Sequence, residues 1–123
     1  MPFIVEKVED EQYVSLEFTD ILTISMLEQS RSALKVILSS PHAYRKILVD
    51  MQKVVLAVRD YDILQFVSSH KDELPAGCLI AVIVQPRDWD TAIFAETVAH
   101  NRGIYMRVFR NELHARAWLG ISD

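Results

Sequence analysis

The sequence contains little of the residues that break or cross-link chains: one cysteine, three glycines and four prolines among 123 residues. The single Cys78 excludes an internal disulfide and favours a reducing compartment. The low glycine and proline content excludes collagen-like repeats and low-complexity linkers. Hydrophobic residues make up 50% of the chain, which is enough for a core without covalent or metal staples. We therefore expect residues 1–123 to form a single domain.

Long apolar segments are also missing. Uninterrupted apolar runs reach about six residues, whereas a membrane-spanning helix needs roughly 20. The first residues do not contain the basic segment of a secretory signal, and an acidic stretch soon follows. These features predict a cytoplasmic protein with no membrane span.

The charge pattern argues against a nucleic-acid partner. The formal net charge is −4, and the 13 lysines and arginines form no dense cluster. Residues 1–30 hold seven acidic side chains and one basic side chain, whereas residues 101–123 hold four arginines and two acids. This asymmetry has two interpretations: two solvated faces of opposite sign, or a contact with a partner or a second copy that is steered by charge.

Alternation and capping signals predict the first elements. Residues 3–8 and 13–18 alternate apolar and polar side chains, which is typical of two half-buried strands joined by a short hairpin loop. Ser25 and Glu28 have the spacing of a capping box, so a helix is expected to begin there. The helix should end near the Ser-Ser-Pro of residues 39–41, because proline restricts the residue before it.

Strands and helices alternate in the middle of the chain. Residues 46–51 and 79–84 are largely apolar runs, typical of strands that are covered on both faces. A helix over residues 61–73 is predicted between them, with Asp60 as its N-cap. This pattern favours a parallel strand pair connected by a helix.

Caps delimit the third helix. Asp88 or Asp90 is expected to cap its start, and the helix should run through about Asn101. Gly103 is then expected to be the residue in the left-handed conformation beyond the helix end.

A strand over residues 104–109 and a short helix over residues 112–119, capped by Asn111, complete the chain. The full order is β-β-α-β-α-β-α-β-α. It predicts an α/β fold with a mostly parallel sheet and right-handed crossovers.

The C-terminal part carries a specific pattern, R-V-F-x-x-x-x-x-A-x-x-W-L, formed by Arg107, Val108, Phe109, Ala115, Trp118 and Leu119. It resembles the C-terminal signature of the SpoIIAA-like proteins of the STAS-like superfamily. The strand that ends in Asp50 and the N-terminal hairpin fit the same family, so the resemblance covers essentially the whole chain. It implies a mixed, mostly parallel five-stranded sheet with an antiparallel first strand, about four covering helices and no enzyme chemistry.

The resemblance also implies a protein partner. The well-known members are anti-sigma-factor antagonists that bind a kinase and are switched by phosphorylation of a serine in a D-S-S-G type motif. The equivalent residues 58–61 contain no serine, threonine or glycine. Asp60 stands near the position of that serine, where it either imitates a permanent charge or caps the helix. We therefore expect a binding or regulatory module without the usual switch, with its partner surface around Asp50, Arg59, Asp60 and Tyr61.

A second resemblance, to CRAL-TRIO lipid carriers, implies an apolar ligand cavity between sheet and helices. The candidate lining residues are Phe66, Trp89, Phe94 and Tyr105, and aromatic side chains at such spacing also fit an ordinary core. The alternative function is therefore a carrier or sensor of a small apolar or lipid-like ligand.

Motifs of catalysis and metal binding are missing from the sequence. The four histidines have no metal-ligand spacing, and no nucleophile-elbow, dinucleotide or phosphate-loop motif occurs. Cys78 precedes an apolar run and is expected to be a core residue. His100, Arg102 and Arg107 form either an anion site or, for the first two, favourable cations at a helix C-terminus. We expect no catalytic residue, metal or cofactor, and a homodimer through a sheet edge or a helix face fits either function.

Overall fold

The computed structural model describes residues 3–39, 44–69 and 74–122, along which five strands and four helices alternate. The strands are β1 (Phe3–Val8), β2 (Tyr13–Leu22), β3 (Lys46–Leu56), β4 (Leu79–Val84) and β5 (Tyr105–Phe109). The helices are α1 (Ile24–Leu38), α2 (Asp60–Ser69), α3 (Trp89–Asn101) and α4 (Glu112–Leu119), and a 3-10 turn over Pro86–Asp88 precedes α3. The predicted order is confirmed. Some of the predicted features lie outside the described residues. They are Ser40 and Pro41 at the predicted end of the first helix, His42, and residues 70–73 of the second predicted helix, which include His70.

The strands form one mixed sheet in the order β1-β2-β3-β4-β5, with β1 antiparallel to β2 and the other pairs parallel. This confirms the predicted α/β class, the antiparallel first strand and the covering helices. Parallel strands in chain order with right-handed crossovers place every connecting helix on the same side of the sheet. Accordingly α1, α2 and α3 cover one face, and α4, which follows the last strand, packs on the other.

Each face of the sheet has its own hydrophobic core. The face under α1–α3 buries large side chains such as Phe18 and Ile47, each 1% exposed. The smaller core under α4 contains Ala81 and Ile83 of β4 together with Leu119 of α4. β4 also contributes to the larger core, so the prediction that its continuous apolar run is buried on both faces is confirmed.

β3 is longer than predicted. The expected strand ended at Met51, whereas β3 continues to Leu56, and β2 likewise continues past its predicted end to Leu22. The exposed, polar Gln52 and Lys53 follow the apolar run, so the sequence pattern did not indicate that the strand continues. A bulge shifts the β2–β3 register at this point, and a bulge breaks the period-two alternation by which a strand is recognised.

The extension of β3 has no strand neighbour on its β4 side, because β4 ends at Val84, opposite Met51. The carbonyl oxygen of Val54 instead accepts hydrogen bonds from Gln85 Nε2 and from a terminal nitrogen of Arg87, both at 3.0 Å. Val54 is fully buried. Two side chains that follow β4 thus satisfy a backbone acceptor that the sheet leaves unpaired.

The start of α1 differs from the prediction. Thr23, not Ser25, is the N-cap, and its side-chain oxygen accepts a hydrogen bond from the Met26 N–H at 3.2 Å. The reason is the longer β2, because the chain is still in an extended conformation at Thr23. Ser25 therefore lies in the first helical turn, and Glu28 forms an ion pair with Arg31 at 3.2 Å.

The start of α2 also differs, because Asp60 is its first helical residue and not the cap that was predicted. The first helical hydrogen bond runs from the Ile63 N–H to the Arg59 carbonyl at 3.1 Å. The Arg59 N–H donates a second hydrogen bond of this turn, to a carboxylate oxygen of Asp62 at 3.1 Å. Asp60 remains favourable in the first turn through the helix dipole.

The ends of α3 and α4 agree better with the sequence. Asp88 occupies the N-cap position of α3, although its side chain forms no capping hydrogen bond. Gly103 has the predicted left-handed conformation, with φ of +75°. Asn111 caps α4 as predicted, since its side-chain oxygen accepts from the His114 N–H at 2.9 Å.

Candidate functional site

The predicted partner surface is divided between two places. Asp50 lies in the middle of β3, six residues before Leu56, which is roughly 20 Å along an extended strand. Its carboxylate accepts a hydrogen bond from the backbone N–H of Gln52 at 2.9 Å. The expectation that Asp50 marks the carboxyl end of the strand is therefore wrong, and Asp50 does not join Arg59 and its neighbours.

Arg59, Asp60 and Tyr61 do form one exposed segment at the start of α2. Tyr61 is 68% exposed. The hydrogen bond from the Arg59 N–H to the Asp62 carboxylate holds the segment to the first turn of the helix. A guanidinium, a carboxylate and a phenol ring therefore follow one another on the surface.

The four aromatic residues predicted to line a cavity occupy different parts of the molecule. Phe66 is partly buried on α2 and lies over the sheet. Trp89 begins α3, where its ring lies 4.4 Å from the guanidinium carbon of Arg110. Phe94 is partly buried on α3, and Tyr105 of β5 is 60% exposed. Of the four, the structure brings Phe66 to the apolar cavities described next.

Two adjoining, partly open cavities of about 120 and 160 Å³ lie between the sheet and helices α1–α3. Apart from Ser30, Arg31 and Thr91, the residues that line them are apolar. The Ser30 hydroxyl is turned away to donate to the Leu27 carbonyl at 2.8 Å. The residues shared by both walls come from five elements: Leu27, Met51, Phe66, Val67, Val82 and Met106.

α2 contributes little to the buried core beneath it. Its main neighbour is α3, and of its ten residues only Ile63 is buried. The small side chains of Ala92 and Ala95 on α3 add to the open space. Met51 and Met106 form part of both walls, and methionine side chains adapt readily to the shape of a neighbour.

The predicted anion site is not assembled, and its first two members have other partners. His100 Nε2 lies 2.9 Å from the Met106 carbonyl oxygen. Arg102 donates from Nε to the Ser68 hydroxyl of α2 at 2.7 Å. Both residues lie at the C-terminal end of α3, where cations are favoured by the helix dipole.

Arg107, the third predicted member, belongs to the opposite face of the sheet. Its strand partner is Ala81, which lies in the core under α4. The guanidinium of Arg107 lies 5.7 Å from the ring centre of Phe109. The alternation of β5 therefore separates Arg107 from His100, a separation that the sequence spacing does not reveal.

Cys78 is a core residue, as predicted, with 4% of its surface exposed. Burial raises the pKa of its thiol to about 11, and the positive charge of Arg45 acts in the opposite direction to a smaller extent. The thiol is therefore protonated at neutral pH, which is the state of an inert structural cysteine.

The C-terminal segment is fastened to the β1–β2 hairpin by charged groups. Glu11 accepts hydrogen bonds from the hydroxyl and the backbone N–H of Ser122, both at 2.6 Å. These hydrogen bonds lower the pKa of Glu11. Arg116 donates to the Tyr13 hydroxyl at 3.2 Å and to Glu112 at 2.7 Å, and the bond to Glu112 is the main cause of its raised pKa. One acid of the N-terminal part, Glu11, and one arginine of the C-terminal part, Arg116, therefore take part in an internal contact.

Groups that would bind a metal do not occur within residues 3–39, 44–69 and 74–122: no three histidine, cysteine or acidic side chains come together there. In the same part of the chain, no helix combines the length and the apolar character of a membrane span.

Sequence reasoning missed Met51, Val67 and Met106 as lining residues of the cavities. Their type is that of ordinary core residues, and the three come from β3, α2 and β5. Only their coming together in the folded chain distinguishes them, and no local pattern carries that information.

Comparison with known proteins shows the fold. The structure is similar to the crystal structure of an uncharacterized protein of the DUF3478 family with a SpoIIAA-like fold, from Shewanella loihica PV-4. The TM-score is 0.60 and the sequence identity 22%, and the match covers 95% of this chain and 91% of that chain. No family profile and no curated protein matches the sequence. The chain therefore has a SpoIIAA-like fold, as the pattern in its C-terminal part implies.

Proposed function

We propose that the protein is a non-enzymatic binding module that takes up a small apolar ligand beneath α2. The observation that carries this proposal is the pair of adjoining apolar cavities, of about 120 and 160 Å³, between α2 and the sheet. Protein interiors are close-packed, and voids larger than a water molecule are few. Empty apolar space costs stability in proportion to its volume, so an apolar occupant would stabilise the fold.

The volumes define the class of ligand. An apolar cavity of about 150 Å³ binds benzene, so each cavity fits a group of that size. Two adjoining groups of benzene size correspond to roughly twelve carbon atoms in a flexible ligand. Met51 and Met106 can adjust to its shape. The expected ligand is a small hydrocarbon-like molecule or the apolar part of a larger one.

Benzene provides a direct test. With ¹³C-labelled methionine methyl groups, benzene is expected to shift the signals of Met51 and Met106, whose side chains line both cavities. It is also expected to raise the melting temperature, because a ligand that binds only the folded state stabilises it. Native mass spectrometry of gently purified protein is expected to show an additional bound mass.

The matched variants are Val67→Phe, which fills the shared wall, and Val36→Phe, which makes the same change at a position that is 73% exposed. Val67→Phe should abolish the benzene response, and Val36→Phe should retain it. Unchanged methionine signals and an unchanged melting temperature of the unaltered protein in benzene-saturated buffer would refute the proposal.

A second candidate function, recognition of a protein partner, is favoured by the exposed segment at the start of α2. Its Arg59, Asp60 and Tyr61 combine charge with a ring that is 68% exposed, and exposed aromatic and arginine side chains are frequent anchors of protein interfaces. The segment begins the helix that covers the cavities. The partner surface, in this proposal, comprises residues 59–61 and excludes Asp50.

Affinity capture with two tyrosine variants tests this surface. Tyr61→Ala is expected to lose a captured partner, since truncating an interface anchor costs about 2 kcal/mol or more of binding free energy. Tyr105→Ala, which removes a ring of similar exposure (60%) from β5, should retain the partner. Equal capture by both variants would exclude residues 59–61 as the interface.

A further inference from the structure

A wide groove lies at the end of β5, beside α4 and the start of α3. We define it as the β5–α4 groove by six of its lining residues: Trp89, Arg107, Phe109, Arg110, His114 and Trp118. Its volume is about 640 Å³, within the range of roughly 300–1,000 Å³ of sites for small molecules. We propose that this groove binds a small anionic ligand that carries an aromatic ring.

The charge of the groove is positive. Arg107 and Arg110 line it, and none of its described lining residues is acidic. Within the described part of the chain, neither guanidinium forms an ion pair. Instead, Arg107 lies 5.7 Å from the ring centre of Phe109, and Arg110 lies 4.4 Å from that of Trp89. A guanidinium stacked on a ring keeps the N–H groups at its edge available for a carboxylate or a phosphate.

The start of α4 adds further hydrogen-bond donors to the groove. Asn111 and His114 both line the groove. The capping bond from the His114 N–H to Asn111 Oδ1, at 2.9 Å, fixes the first turn, and the Asn111 amide lies 3.3 Å from His114 Nδ1. The second ring nitrogen of His114, Nε2, is not part of this contact. The positive end of the helix dipole reinforces the two arginines.

The aromatic walls favour a ring on the ligand. Both tryptophans of the chain line this groove. Trp118 packs on Phe109 with ring centres 5.8 Å apart and an angle of 49° between the rings. Both rings are only partly buried, so a ligand ring can cover surface that remains in contact with water. Offset or tilted ring pairs contribute about 0.5–1.5 kcal/mol beyond the area they bury.

The groove shares one lining residue, Val108, with the smaller apolar cavity, and none of its other lining residues lines either cavity. Along β5, Met106 faces the apolar cavities under α2, whereas Arg107 and Phe109 face the side of α4. Because Arg107, Arg110 and Trp118 line neither cavity, a failure of apolar binding under α2 can be distinguished from a failure of anion binding in the groove.

Phenyl phosphate is the probe, because it combines the ring and the anion, with inorganic phosphate and phenol as its two halves. The chain has only two indole N–H signals in a ¹⁵N spectrum, and both tryptophans line the groove. Phenyl phosphate is expected to shift both signals to saturation, and each half alone should bind at least about tenfold more weakly. Added salt should weaken the binding of phenyl phosphate.

The variant R107Q/R110Q is expected to bind phenyl phosphate at least about tenfold more weakly, since it removes two charge-assisted donors. R45Q, which removes an exposed arginine directly before β3, should bind as the unaltered protein does. Val67→Phe should also leave the titration unchanged. Three results would each overturn the proposal: no shift of either indole signal, unchanged affinity in R107Q/R110Q, or equal affinity for inorganic phosphate, which would indicate an anion site without ring recognition.

Discussion

Replacing Phe18 by alanine is expected to lower the free energy of unfolding by about 3–5 kcal/mol. Phe18 is 1% exposed, and its ring packs on Phe3 with the ring centres 6.0 Å apart. It also forms part of the wall of the 160 Å³ cavity. The alanine variant therefore loses the buried ring and enlarges an existing void, and both effects act in the same direction. Urea denaturation monitored by circular dichroism measures the loss.

Two further variants distinguish packing from a general effect of substitution. Phe18→Leu retains most of the volume and should cost less than about 1.5 kcal/mol. Val36→Ala, at a position that is 73% exposed, should change stability by no more than about 0.5 kcal/mol. If the cavity is continuous with the space left by Phe18, benzene should stabilise Phe18→Ala more than the unaltered protein. A loss below about 1 kcal/mol for Phe18→Ala would contradict the described packing.

Alkylation of Cys78 at pH 8 is expected to be at least about 100-fold slower in the folded protein than in the urea-unfolded chain. Burial raises the pKa of the thiol from 9.0 to about 11. The two-unit difference reduces the reactive thiolate fraction by about 100-fold at pH values below both pKa values. The exposure of only 4% adds a steric barrier in the same direction. Iodoacetamide labelling followed by mass spectrometry measures both rates.

The raised pKa also predicts how stability depends on pH. Between about pH 9 and 11 the unfolded thiol ionises while the buried thiol keeps its proton, so the unfolded state binds fewer protons. The free energy of unfolding should therefore fall as the pH rises through this window. Cys78→Ala should remove this part of the pH dependence, which isolates it from the titration of other groups. A folded-state labelling rate within tenfold of the unfolded rate would show that the thiol is accessible.

Local signals predicted most elements because they depend on neighbouring residues. The alternation of residues 3–8, the apolar run of β4 and the Asn111 cap each specify their element without knowledge of the rest of the chain. The length of β3 could not be predicted in this way. Its second half interrupts the alternation at a bulge, and its backbone is satisfied by Gln85 and Arg87 from another part of the chain.

The predicted sites were harder to predict than the helices and strands, because a site depends on which residues come together in the folded chain. Arg59, Asp60 and Tyr61 are consecutive, so their common surface follows from the sequence once α2 is recognised. His100, Arg102 and Arg107 are close in sequence, but the structure separates them. His100 and Arg102 lie at the end of α3, whereas Arg107 of β5 faces α4, because successive side chains of a strand point to opposite faces of the sheet. Trp89 and Arg110 are 21 positions apart and form a stacked pair. Sequence distance is a poor guide to proximity wherever a strand separates the residues.

The sequence by itself determined the α/β order, the antiparallel first strand, the apolar character of β4 and the structural role of Cys78. These properties follow from side-chain periodicity, capping chemistry and the absence of a second cysteine. Only the tertiary structure decided where empty space and unpaired charge remain. The cavities depend on how α1, α2 and α3 pack on the sheet, and the β5–α4 groove depends on α4 packing on the opposite face. Both are products of how elements pack, and the free energy of packing is distributed over many distant contacts.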